Sequence, residues 1–73
     1  MEQDTTPMER AWLHVIKGEA QVTAQVIQLC KLISLRKDTT EAQAVLADFE
    51  NELRLLRETL ALEQVKAARR HQP

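Results

Sequence analysis

The stretch Arg36-Lys37-Asp38-Thr39-Thr40-Glu41 constrains this chain most, because it interrupts two apolar-periodic segments of nearly equal length. It carries the chemistry of one helix end followed by another helix start. Arg36 and Lys37 complement the negative end of a helix dipole. Asp38, Thr39 or Thr40 can cap a following helix, and Glu41 completes a capping box if Asp38 is the cap. The stretch has no glycine, so the turn is expected to be short and to use ordinary backbone conformations. The spacing predicts an all-α fold, an antiparallel two-helix hairpin. Helix one is expected over about residues 7–36 and helix two over about residues 40–69.

The first segment opens on Thr6-Pro7-Met8-Glu9. Thr6 suits the N-cap, Pro7 falls where its missing N–H costs nothing, and Glu9 can close a capping box. From there Met8, Trp12, Val15, Glu19, Val22, Val26, Leu29 and Ile33 advance by alternating steps of four and three, the spacing of helices packed at a shallow angle. A second row, Ile16, Ala20, Thr23, Ile27 and Cys30, runs beside it. Together they form a stripe ~160° wide, more than one partner helix can cover. Gly18 is the internal weak point, at ~1 kcal/mol relative to Ala. Apolar phase is kept across it, so one continuous helix is expected, with Gly18 on the exposed side.

The second segment repeats the pattern through Ala42, Leu46, Phe49, Leu53, Leu56, Leu60, Glu63 and Ala67, with Val45 widening the stripe. An antiparallel pairing brings Ile33 near Leu46, Val26 near Phe49 and Leu53, and Trp12 near Val65. No linker or repeat divides residues 1–73, so a single domain is expected, frayed at 1–5 and 70–73.

Size bears on what such a hairpin needs. A chain of 73 residues buries only ~60% of its unfolded surface, and a lone monomer is marginal. Cys30 is the only cysteine, so no internal disulfide forms, and His14 and His71 lack metal-ligand neighbours. Association remains, and the wide stripe suits a homodimer forming a four-helix bundle. Val22, Val26, Phe49, Leu53 and Leu56 are the expected core. Glu19 and Glu63, charged residues at seam positions, are expected to set register, with Arg57 level with Glu19 as its partner.

Ten basic against eleven acidic side chains give a net charge of −1, which argues against a strong phosphate binder. No apolar run approaches the ~20 residues of a membrane span. The acidic start lacks the features of a secretory signal, so a cytoplasmic protein is the expectation. No catalytic motif, P-loop or paired-cysteine zinc pattern occurs, and neither an enzyme nor a cofactor is expected. A carboxylate metal site at Glu19 and Glu63 would need further inward carboxylates and the Glu-x-x-His motif of ferritin-like bundles, which the chain lacks. Cys30 is expected as a small buried core residue and His14 as a solvated one. The basic tail Lys66, Arg69, Arg70 and His71 fits the dipole of a helix C-terminus.

Trp12, Leu13, Leu55, Leu62 and Val65 are the remaining candidates. They are apolar residues near the open end of the hairpin, four of them off the main stripes, and Trp12 is a possible anchor for a protein partner. These readings converge on a non-enzymatic interaction module: a small helical regulator, inhibitor or assembly adaptor that self-associates and binds a larger protein. The alternative is a nucleic-acid-binding helical dimer with the architecture of Rop-type bundles, an analogy of shape and not of sequence. Mixed charge along helix two, with Glu50, Glu52 and Glu58 beside Arg54 and Arg57, weighs against it.

Overall fold

A computed structural model describes residues 5–70 as two helices, α1 (Pro7–Ser34) and α2 (Thr40–Arg70), folded into an antiparallel hairpin. Arg70 is helical; the rest of the expected fraying, at 1–4 and 71–73, lies outside the described residues, as does His71.

The start of α1 forms as its residues dictate. Thr6 takes an extended conformation, its hydroxyl accepts the Glu9 backbone N–H at 3.1 Å, and the Glu9 carboxylate accepts the Thr6 N–H at 2.9 Å. The box satisfies two orphan donors reciprocally, and Pro7 sits at the first helical position.

The connector departs from expectation. Helix one ends at Ser34, and Arg36 takes a positive φ of 55°. The Arg36 N–H donates to the Ile33 carbonyl at 3.0 Å and the Lys37 N–H to the Leu32 carbonyl at 2.9 Å. These two bonds are a Schellman closure, which satisfies the last carbonyls by sending one residue into the left-handed region. Glycine is the usual occupant; here arginine fills the place. The expectation of ordinary backbone conformations throughout is therefore corrected.

Asp38 is not the cap of α2. It lies one residue earlier, and its carboxylate accepts from the Thr40 N–H at 3.0 Å and the Thr40 hydroxyl at 2.8 Å, as in an Asx-turn. Thr39 takes the cap position. Its carbonyl accepts the Gln43 N–H at 2.8 Å and its hydroxyl accepts from the Gln43 side chain.

On α2 the expected seam is the buried one. Ala42 and Leu53 are buried, and Leu46, Phe49, Leu56, Leu60, Glu63 and Ala67 are half-buried. On α1 the seam is rotated. The residues that face α2 are Met8, Ala11, Val15, Gly18, Val22, Gln25, Leu29 and Leu32, again in steps of three and four, while Trp12, Glu19, Val26 and Ile33 flank it and are exposed. Small residues decide this. A Cβ on Gly18 would stand 3.1 Å from Leu53 Cδ1 and 3.2 Å from Leu56 Cδ1, so α2 packs where α1 has the least side chain. Helix one is continuous, but Gly18 is buried in the contact and not on the exposed side. Gln25 takes a seam position because its amide donates to the Ala42 carbonyl at 3.2 Å.

Candidate functional site

The rotation of the seam leaves α1 with a second apolar face. Labelling the α1 seam as heptad positions a (Met8, Val15, Val22, Leu29) and d (Ala11, Gly18, Gln25, Leu32), the next row, e, is Trp12, Glu19, Val26 and Ile33. Beyond it row b carries Glu9, whose carboxylate is engaged by the Thr6 N–H, and then Ile16, Thr23 and Cys30. All eight of these side chains are exposed. Rows e and b lie ~50° and ~100° around the helix from a, so this face stands roughly perpendicular to the plane of the hairpin. The expected ~160° stripe is thus real, but α2 covers only one edge of it.

The matching row of α2 is polar: Gln43, Glu50, Arg57 and Gln64. One ion pair crosses between the helices here, from Arg57 Nη2 to Glu19 Oε2 at 3.1 Å, with both side chains half or more exposed. The pairing is the one expected, although Glu19 reaches it from the flank of the seam. Exposed pairs of this kind contribute ~0–1 kcal/mol. Glu63, in contrast, does occupy the seam: its side chain is 18% exposed and lies 3.5 Å from Lys66 Nζ. It shares a groove with Thr6, Pro7 and Met8, where its charge faces the positive end of the α1 dipole.

Of the expected core set, Val22, Phe49, Leu53 and Leu56 lie in the seam, and Val26 lies on the open face. Cys30 is exposed on that same face, which corrects its expected burial. His14 is exposed beside Lys17, Gly18, Gln21, Glu52 and Leu56 on the opposite, polar side.

Trp12, Leu13, Leu55, Leu62 and Val65 are all exposed, but the hairpin does not gather them on one surface. Trp12, at 57% exposure, lies on the e row and lines a shallow groove with Met8, Glu9, Leu60 and Gln64, a groove that does not include Val65. Leu13 points away from the seam on the outer side of α1. Leu55 and Leu62, one heptad apart, lie ~130–150° from the seam of α2 on its own outer side. The e and b face is a unit that no single off-stripe residue marks. Its signal was present in the width of the stripe.

Among the described residues, no group of histidine, cysteine and carboxylate side chains could hold a metal ion, and no helix is long and apolar enough to cross a membrane. The chain matches no family model, no curated protein and no solved structure.

Proposed function

We propose that this protein is a non-enzymatic protein-interaction module that works by self-association through the open face of α1, as a small helical regulator, inhibitor or assembly adaptor in a cytoplasmic setting. The observation that carries the reading is the apolar face formed by Trp12, Ile16, Val26, Cys30 and Ile33, left uncovered beside a very small core. Among the described residues, only Ala11, Val15, Ala42 and Leu53 are buried apolar side chains, and no large side chain is fully enclosed. A hairpin with so little interior needs another surface against that face to be stable.

Stacking hairpins face to face gives a four-helix bundle, with a discrete dimer as its simplest form. Leu13, Leu55, Leu62 and Val65 then remain on the outside, where Leu55 and Leu62 offer a larger protein an apolar ridge on α2. Sedimentation analysis of the purified protein at micromolar concentration tests the self-association. A discrete dimer is the expected result; a stable, fully helical monomer would remove it.

A further inference from the structure

The open face has an area, a symmetry and a charge pattern that together select its occupant. We infer that it is covered by a second copy of this chain, with the two α1 helices antiparallel and crossing at Thr23. The inference rests on the self-association reading and specifies its geometry.

Area comes first. The hairpin exposes 6067 Å², whereas a compact monomer of 8.4 kDa exposes ~4,600 Å². Its radius of gyration is 16.9 Å, against ~11 Å for a compact domain of this length. The excess surface is therefore well above the ~800 Å² that each partner contributes to a standard interface. The molecule is one helix layer, and stable domains place two layers around a core.

The symmetry follows from which rows are apolar. In a stacked pair of hairpins, α1 lies over either α1 or α2 of the second copy. The α2 rows on this face are Gln43, Glu50, Arg57 and Gln64 and, beyond them, Ala47, Arg54, Ala61 and Ala68; they offer no large apolar side chain to Trp12, Ile16, Val26 and Ile33. Only α1 of the second copy does. A full stack, with α1 over α1 and α2 over α2, requires a two-fold axis perpendicular to the helices, and that axis runs the two α1 helices antiparallel.

The position of the axis is read from the rows themselves. The uncharged stretch of row b, Ile16 to Cys30, is centred on Thr23, and row e, Trp12 to Ile33, is centred beside it. With the axis at Thr23, Trp12 meets Ile33 of the second copy, Ile16 meets Cys30, and the two Thr23 side chains meet each other. Each apolar residue of the ends finds an apolar partner, and Val26 lies against the aliphatic stem of Glu19 of the second copy, whose carboxylate is held by its own Arg57. The two carboxylates on the α1 side are already engaged within their own hairpin, Glu19 by Arg57 and Glu9 by the Thr6 N–H. The face as a whole therefore asks for no partner of opposite charge.

Cysteine cross-linking tests this directly, because a disulfide needs Cα atoms within ~7 Å. In the antiparallel arrangement the two native Cys30 residues lie ~21 Å apart along the helices. The wild-type protein should stay free of disulfide under mild oxidation. Thr23→Cys in a Cys30→Ser background should cross-link into a covalent dimer as the majority species. Ile16→Cys, which keeps the native Cys30, should do so as well. All three positions are exposed in the hairpin, and circular dichroism confirms that each variant folds.

Efficient cross-linking of native Cys30 in a sedimenting dimer, or a dimer in which neither designed pair cross-links, overturns the antiparallel arrangement while leaving self-association intact. A helical monomer in sedimentation overturns both.

Discussion

Gly18 is the residue on which the hairpin geometry turns. Its missing side chain lets Leu53, 6% exposed, and Leu56 settle onto the α1 backbone. Two effects oppose each other on substitution. Replacing glycine by alanine in mid-helix gains ~1 kcal/mol of propensity, but the new Cβ would press on two leucine methyls at 3.1 and 3.2 Å. Those methyls are the ends of flexible side chains, and Leu56 is only half-buried, so it can yield. Gly18→Ala should change stability by less than ~1 kcal/mol, falling short of the full propensity gain. Gly18→Leu should cost ~1–3 kcal/mol, because no rotamer change makes room for it without parting the helices. Urea denaturation of both variants at one protein concentration measures the difference. A Gly18→Leu protein as stable as the parent would mean that the close contact is not needed. Periodicity alone places Gly18 on the exposed side, since a glycine adds nothing to an apolar pattern. Its value lies in what it lets the opposite helix do.

At the scale of elements, the connector holds two features that pull in opposite directions. Arg36 occupies a left-handed position at φ 55° that a glycine would take without strain. An L-residue there costs ~1–2 kcal/mol. Arg36→Gly should therefore stabilise the hairpin by ~1 kcal/mol and raise Tm by ~4–8 °C, measured by thermal melting. A fall in Tm would show that the Arg36 side chain contributes more than its backbone costs. Asp38 works the other way. The Thr40 backbone N–H, and then the Thr40 hydroxyl, hold its carboxyl below the ordinary value of 3.8. The sign follows from that depression: the stabilisation is present above the ordinary value and is lost as pH falls through the lower folded value. In denaturant titrations, the advantage of the parent over Asp38→Asn should shrink as pH is lowered from about 5 to about 2. A constant difference across that range would mean that the charge plays no part. The two helices, the cap at Thr6 and the α2 seam were legible because each rests on local spacing and local donors. The α1 seam was not. Its stripe carries two contact faces, and periodicity alone does not say which of them the covalently attached helix takes.

For the whole molecule, the question is how a layer 59 Å long and 14 Å thick is stabilised. The candidate face was partly legible: a stripe too wide for one neighbour pointed to a second contact, but the residues singled out for it were scattered over several sides. Burial in the hairpin was needed to separate the covered rows from the open ones. If a second copy covers rows e and b, folding and association are one equilibrium, and stability depends on protein concentration through mass action. Trp12 offers a direct reading, since it is the only tryptophan and stands on the open face with 57% of its surface exposed. In the hairpin alone its emission should resemble that of a solvated indole. In the stacked pair it is covered by Ile33 of the second copy, and its emission should shift to the blue. Serial dilution should therefore move the emission to the red and reduce helicity over the same concentration range. Val26→Glu, which puts a charge at the middle of the open face without touching the α2 seam, should displace both curves to higher concentration. Coincident curves tie the two processes together. Emission that stays red at every concentration, with helicity undiminished by dilution, would instead describe a hairpin that is stable with its apolar face open to water.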